Sequence, residues 1–171
     1  VTVFIAPSSA LGQLSGSLTF HILTYDKKAY DENPKNYEVE FYGPNRQRFV
    51  ERKPSLILDE KEILSMTIEK RSTYVFGEKR QATKADSPTG YNYIALVLLT
   101  DRGARLFNEF ANSHAQQFAE WRFGNIKIGH SQIIGKFGEN DKSFNMGLEE
   151  TSKERLEKIF APLKGRLAWK E

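Results

Sequence analysis

The feature that most constrains this chain is a strand-to-helix joint near its middle. An apolar run of strand length, Ile94 to Leu99, is rich in branched side chains and predicts a buried β-strand. A helix is predicted to follow at once, because Thr100 is suited to N-capping and Asp101 favours the positive end of a helix dipole. Apolar side chains then recur at helical intervals and form one stripe: Ala104, Phe107, Phe110, Ala111, His114 and Phe118.

Joints of this kind hold phosphate-binding loops in many nucleotide-binding proteins. A phosphate cradle needs several glycines, so that backbone amides can converge on an anion. This joint has one glycine, Gly103, and Arg102 alone does not make a phosphate-binding loop. We therefore interpret the joint as a packed structural corner with Thr100 and Asp101 as its cap.

Length and composition restrict the class of protein. A chain of 171 residues is long enough to bury a sizeable core as one domain. Its 25 basic and 22 acidic residues leave a net charge of +3, which is too even for a nucleic-acid footprint over the whole surface. The sequence contains no cysteine, which excludes disulfides, thiolate metal sites and cysteine nucleophiles. No window of the sequence approaches the roughly eighteen apolar residues of a membrane span.

The residues before the joint predict a β-rich part. Alternating apolar positions indicate strands over 18–25 and 37–41, with a polar connection over 26–36. Gly43-Pro44-Asn45 is a turn signal, and a weaker strand follows it. The polar and basic stretch 77–90 lacks periodicity and predicts a loop.

The residues after the joint predict more strands and a second helix. Strands are expected over 121–128 and 131–137, with Gly129 and His130 in the turn between them. A returning strand over 144–148 precedes a closing helix, whose capping box is formed by Thr151 and Glu154.

This order of elements predicts an α+β fold, a mostly antiparallel sheet with two principal helices. The carboxyl-terminal part is expected to be a split βαβ (ferredoxin-like) arrangement, and the amino-terminal part a β-rich extension. We place the boundary so that 1–90 form the extension and 91–171 the α+β domain, together as one compact unit.

Residue types that carry chemistry do not form a recognisable motif. The three histidines, His21, His114 and His130, lie far apart and lack the spacing of metal ligands. The sequence around Ser131 lacks the glycine pattern of a nucleophile elbow. We expect no catalytic residue, no metal site and no cofactor.

One basic cluster leaves an alternative open. Arg46 and Arg48 lie near aromatic residues, a pattern that favours single-stranded nucleic acid through stacking and phosphate contacts. Glu38, Glu40 and Glu51 interrupt this cluster, so we interpret it as a solvated face of a sheet. Nucleic acid is therefore not the partner that we expect.

Residues 91–163 carry an ordered motif that is similar to that of a known family. Its first part, a strand followed by Thr, an acidic residue and Gly-Ala-Arg-x-Phe, is matched by Thr100, Asp101, Gly103, Ala104, Arg105 and Phe107. Its second part falls on Phe123, Gly124, Asn125, Ile126 and Ile128, followed by Ser131 and Ile133. A closing helix follows the motif both in that family and in this sequence. The motif resembles the head of the first periplasmic domain of SecD-type preprotein translocase subunits.

The resemblance covers under half of the chain and has clear departures. The family's Ser-Ala-Pro stretch is replaced by Gly129, His130 and Ser131, without a proline. The paired glycines that precede the family's last strand are not evident, and the family's large transmembrane portion is absent from this sequence. The coupling of translocation to a proton gradient is therefore not carried over.

The resemblance implies a non-enzymatic module that binds polypeptide and is linked to protein export. An exposed sheet edge can receive an extended chain through backbone hydrogen bonds, whatever its sequence. The expected partner is an unfolded or exported polypeptide, or a membrane-anchored protein, in the periplasm or cell envelope. A start at Val1 is compatible with removal of an amino-terminal signal or anchor. The candidate binding residues are Gly129, His130, Ser131, Arg46 and Arg48.

Two alternatives remain beside this expectation. One is a single-stranded nucleic-acid-binding module that uses the Arg46 and Arg48 cluster. The other is an uncharacterised small hydrolase.

Overall fold

A computed structural model describes residues 16–73 and 90–170, apart from residues 136 and 139. The elements in order are β1 (Leu18–Thr24), α1 (Lys27–Glu32), β2 (Tyr37–Gly43), β3 (Arg46–Glu51), β4 (Leu56–Leu58), β5 (Ile63–Thr73), β6 (Gly90–Leu99), α2 (Asp101–Ser113), β7 (Phe118–Phe123), β8 (Ile126–Gln132), β9 (Ser143–Leu148), α3 (Lys153–Ile159) and β10 (Leu167–Lys170). Short 3-10 turns occupy Pro34–Asn36 and Ala161–Arg166. The predicted α+β class, with mostly antiparallel sheet, is confirmed.

The strands form two sheets. The first is six-stranded, with the order β2-β3-β1-β7-β8 and with β4 paired to β1 beside β3. The second is four-stranded, with the order β10-β5-β6-β9. All pairs are antiparallel except β10 with β5, which is parallel.

The core lies between the two sheets. Phe20 on β1 is its centre, with ring centroids 5.8 Å from Phe144 on β9 and 6.2 Å from Trp121 on β7. Helix α2 adds Phe107 and Phe110, whose rings also contact Phe20. The helix and the inner faces of both sheets therefore share one apolar cluster.

The split βαβ arrangement is not confirmed. A ferredoxin-like unit places its strands in one sheet, whereas here β6 and β9 pair in the four-stranded sheet and β7 and β8 pair in the six-stranded one. Strands from 1–90 and from 91–171 are also interleaved, because β1 pairs with β7 and β5 pairs with β6. The two predicted parts therefore contribute to both sheets and to one core.

The turn predicted at Gly129 and His130 is wrong. Both residues lie within β8, and the turn between β7 and β8 is instead formed by Gly124 and Asn125. Gly124 has φ of 59°, a left-handed conformation that a two-residue hairpin turn needs. The strand predicted over 131–137 accordingly ends at Gln132.

Other local predictions need smaller corrections. Helix α3 is capped by Ser152, whose Oγ accepts from Arg155 N, and not by Thr151. The polar connection over 26–36 contains the short helix α1, capped by Asp26. The predicted loop over 77–90 lies outside the described residues except for Gly90, where β6 begins.

Strand β6 is buried on one face only. The apolar run predicted a buried strand, but Leu96 and Leu98 are 43% and 40% exposed in the described structure. Their neighbours Ala95, Val97 and Leu99 face the core. A continuous apolar run does not distinguish a strand buried on one face from a strand buried on both, because side chains alternate between the faces of a sheet whatever their chemistry.

The strand-to-helix joint is packed against the rest of the protein. Thr100 is the N-cap residue of α2, and its Oγ1 accepts from Gly103 N at 3.1 Å. Thr100 N donates to the Glu62 carbonyl oxygen at 2.9 Å. A Cβ added at Gly103 would lie 2.9 Å from the same oxygen, so glycine is required by this close approach. Protein backbone therefore packs against the first helical turn.

Thr100→Ala is expected to lower the free energy of unfolding by about 1 kcal/mol, because one amide of the first turn loses its acceptor. Urea denaturation of purified protein measures the change. Thr100→Asn keeps a capping oxygen and should lie within about 0.5 kcal/mol of the natural protein. An equal loss in both variants would contradict the capping role.

Candidate functional site

The outer face of the six-stranded sheet carries a group of charged side chains, which we call the charged cluster. Cross-strand register assembles it, because Glu40 pairs with Arg48 and Arg122 pairs with Lys127. The members come from four strands: Glu38 and Glu40 on β2, Arg48 on β3, Glu120 and Arg122 on β7, and Lys127 on β8.

Glu120 lies at the centre of the charged cluster with its side chain fully buried. Its Oε1 accepts a hydrogen bond from Arg122 Nε at 2.7 Å. Its Oε2 lies 3.1 Å from Lys127 Nζ and 3.9 Å from Arg48 Nη2. A buried carboxylate is costly unless charge compensates it, and three cations do so here.

Arg48 and Glu40 form a second ion pair within the charged cluster. Glu40 Oε2 accepts from Arg48 Nε at 2.9 Å and from Arg48 Nη2 at 2.7 Å. Burial alone would raise the pKa of Glu40, but hydrogen bonds from Arg48 and Lys127 outweigh burial and hold that pKa below its ordinary value. Burial acts to lower the pKa of Arg48, and the bond to Glu40 reverses this and raises it. Both side chains are therefore held in their charged forms.

Two histidines flank the charged cluster. His21, opposite Glu120 on β1, is buried, and its Nδ1 donates to the Glu51 carbonyl oxygen at 2.7 Å. Burial lowers the pKa of His21, so its imidazole is neutral at neutral pH. His130, on the other side of Glu120, contacts the Glu149 carboxylate through Nδ1.

The structure brings together two of the five candidate binding residues. Arg48 belongs to the charged cluster, and His130 lies at its rim, where Glu149 also lies 4.0 Å from Lys127. Arg46 is exposed at the start of β3. Ser131 pairs with the core residue Ala119 and so belongs to the opposite, inner face of the sheet.

Gly129, the remaining candidate, has a packing role. Trp121 Nε1 donates to the Gly147 carbonyl oxygen at 3.1 Å, directly beside Gly129. A Cβ at position 129 would overlap both of these atoms. The glycine thus allows β8 to lie close to β9.

The sequence interpretation missed the central residues of the charged cluster. Glu120 and Arg122 alternate with Ala119, Trp121 and Phe123, which is the pattern of a strand with one core face and one polar face. That alternation places the two charges on the outer face of the sheet. It does not show that their partners come from β2 and β3.

A second feature of this sheet is the free edge of β2. Arg52 N donates to the Asn36 carbonyl oxygen at 2.8 Å, and hydrogen bonds alternate along an antiparallel ladder. The amides of Tyr37, Val39 and Phe41 therefore point away from β3. Within the described residues, no strand pairs with this edge.

Exposed apolar side chains accompany this free edge. Phe41 is 75% exposed and Val39 is 37% exposed. They alternate with Glu38 and Glu40, which belong to the charged cluster on the other face. Long exposed edges with apolar side chains are sites for pairing with another chain.

The arrangement defines an α+β domain with compensated charges and an open sheet edge at β2. Among the described residues, no three His, Cys, Asp or Glu side chains are grouped so that they could hold a metal ion. None of the helices in the described ranges has the length and apolar character of a membrane-spanning segment. The chain matches no protein-family model and no curated protein.

Proposed function

We propose that this protein is a non-catalytic polypeptide-binding module, which receives an extended segment of its partner at the edge of β2. The observation that carries the proposal is the free edge itself, with the amides of Tyr37, Val39 and Phe41 directed outwards. An added strand satisfies these amides and their carbonyl groups through backbone bonds. Such binding tolerates many partner sequences.

The charged cluster supports this function by fixing β2 before the partner arrives. Glu40 is bound by Arg48 and Lys127, and Glu38 lies 3.0 Å from Arg122. These contacts tie alternate residues of an edge strand to the middle of the sheet. A strand that is already ordered loses less entropy on binding than a mobile one.

The exposed side chains beside the edge give the binding an apolar component. Phe41, Val39 and Tyr42 are all partly or largely exposed. Apolar side chains on one face of an added strand would cover Phe41 and Val39 and remove their surface from water. We therefore favour partner segments in which apolar residues alternate with polar ones.

The similarity to SecD heads supplies the biological setting of the proposal. That similarity lies in the sequence motif of residues 91–163. An exported or membrane-anchored partner and a location in the periplasm or cell envelope rest on this resemblance alone.

The charged cluster does not favour the nucleic-acid alternative. Phosphate binding needs cations that are free to exchange their counterions for the nucleic acid. Arg48 already binds Glu40, and Arg122 binds both Glu120 and Glu38. No contact among the described residues favours the small hydrolase.

The test is the substitution Val39→Pro. Proline removes the outward amide of Val39, while the bonds of Glu38 and Glu40 to β3 are retained, and proline is tolerated on edge strands. We expect at least about tenfold weaker binding of a permanently unfolded chain, reduced and carboxymethylated lactalbumin, in a fluorescence anisotropy titration. Val39→Ala keeps the amide and should bind within about threefold of the natural protein.

Amide hydrogen exchange with the same unfolded chain locates the site. Protection is expected at Tyr37, Val39 and Phe41. Protection confined to residues 77–90 would place the site elsewhere, and equal binding by Val39→Pro and Val39→Ala would exclude strand addition at β2. A protein that binds no unfolded chain at all would contradict the proposed function.

A further inference from the structure

Strands β8 and β9 touch at one end and separate at the other. Glu149 N donates to the Ile128 carbonyl oxygen at 2.9 Å, and Trp121 Nε1 bonds to the Gly147 carbonyl oxygen beside this contact. Towards Ser131 on β8 and Asn145 on β9, a cavity of about 150 Å³ lies between the two strands and α2. It opens at the edge of the six-stranded sheet opposite β2.

The wall of this cavity is aromatic. Its rings are those of Phe20, Phe107, Phe110, Trp121, Phe137 and Phe144. Phe107 and Phe144 stack with centroids 4.0 Å apart, Phe107 also contacts Phe137, and Phe20 contacts the remaining four rings. The rings that form the wall are therefore packed against one another.

The chemistry of the wall selects an uncharged ligand. None of the described residues that line the cavity is ionisable. A charged group placed there would lose its hydration without gaining a counterion. Ser131, which lies on the inner face of the sheet, supplies one hydroxyl group that could bond a small polar substituent.

The size of the cavity limits the ligand to one ring. Apolar cavities of about 150 Å³ in proteins take a molecule as large as benzene. Aromatic walls favour an aromatic guest, because rings pack edge-to-face or offset with a gain beyond that of buried area.

We infer that this cavity is a binding site for one uncharged aromatic ring with at most a small polar substituent. The ring belongs either to a free compound or to a phenylalanine or tyrosine side chain of a bound polypeptide. The inference is independent of the proposed function, because β8 and β2 are opposite edges of the same sheet.

Two-dimensional NMR of the whole chain tests this inference. The sequence has two tryptophans, and Trp121 lines the cavity while Trp169 lies on β10. Titration with benzyl alcohol should shift the Trp121 Nε1–H resonance to saturation and leave that of Trp169 in place. Benzoate has the same ring with a negative charge and should bind at least about tenfold more weakly.

A further titration distinguishes the two sources of the ring. N-acetylphenylalanine amide carries the ring on a peptide backbone, and tighter binding of this compound than of benzyl alcohol would assign the site to a side chain. Tighter binding of benzyl alcohol would assign it to a free compound.

Ser131→Trp should close the cavity, because Ser131 is exposed on the inner face near the end of β8. Binding of benzyl alcohol is expected to fall at least about tenfold. Ser143→Trp, on exposed Ser143 at the start of β9, is the matched control and should bind normally.

If Ser131→Trp fails to fold, nuclear Overhauser contacts in the natural protein decide instead. Contacts from the benzyl ring to Phe107 and Phe144 would support the site. Contacts to another surface, or a Trp121 resonance that does not move to saturation, would overturn the inference.

Discussion

Glu120→Ala is expected to lower the free energy of unfolding by about 3 kcal/mol. Its carboxylate is fully buried between Arg122, Lys127 and Arg48, at 2.7, 3.1 and 3.9 Å. Removing the carboxylate leaves Arg48, itself almost buried, and two partly buried cations close together without their central anion. Urea or thermal denaturation at neutral pH and constant salt measures the loss.

Two further variants separate charge from size. Glu120→Gln keeps the volume of the side chain and removes its charge, so it should lose most of the same stability. Glu38→Ala removes another partner of Arg122, but Glu38 is 38% exposed, and we expect a loss of at most about 1 kcal/mol. If Glu120→Gln were as stable as the natural protein, the electrostatic explanation would be wrong.

Gly129→Ala is expected to lower the free energy of unfolding by about 3 kcal/mol. The new methyl group would overlap the Gly147 carbonyl oxygen and the indole nitrogen of Trp121. Relief requires β8 to move from β9 or the indole ring to move out of the core. Either movement breaks the hydrogen bond from Trp121 Nε1 to the Gly147 carbonyl oxygen.

Gly147 is the matched control for this substitution. It lies directly across the same contact, on β9, but a Cβ added to it would meet no other atom within 4 Å. Gly147→Ala should therefore lie within about 0.5 kcal/mol of the natural protein, as surface substitutions usually do. Equal losses at positions 129 and 147 would show that the close approach at Gly129 is not what requires glycine.

Local periodicity is sufficient to predict most of the individual strands and helices of this fold. The strand and helix around Thr100 were predicted from spacing and capping chemistry, and the structure has both. The alternating segments that became β1, β2 and β9 were also recognised. In each case the signal lies within about ten consecutive residues, which is the range over which periodicity acts.

The hairpin between β7 and β8 shows why turns are harder to assign. Gly124-Asn125 and Gly129-His130 are both acceptable turn pairs by residue type. The structure uses the first pair, because Gly129 is needed where β8 meets Trp121 and Gly147. That requirement comes from a neighbour on another strand and leaves no local mark in the sequence.

The sequence pattern does not predict the charged cluster, for the same reason. Lys127 bonds to Glu40 at 3.1 Å, although the two residues lie on strands that are far apart in the chain. Each charge taken alone is typical of a solvated sheet face. Arg48 on β3 comes to Glu120 on β7 only through the order of strands, and local pattern does not specify that order.

The pairing of β1 with β7 has a consequence for how this protein is made. Phe20 lies opposite Trp121, about 100 positions later in the chain, and contacts of such long sequence separation form slowly. Until β7 has left the ribosome, β1 lacks a neighbour on one side and the ring of Phe20 lacks most of its packing partners. Apolar surface is then exposed and promotes aggregation. The nascent chain therefore needs a chaperone most before β7 can pair with β1.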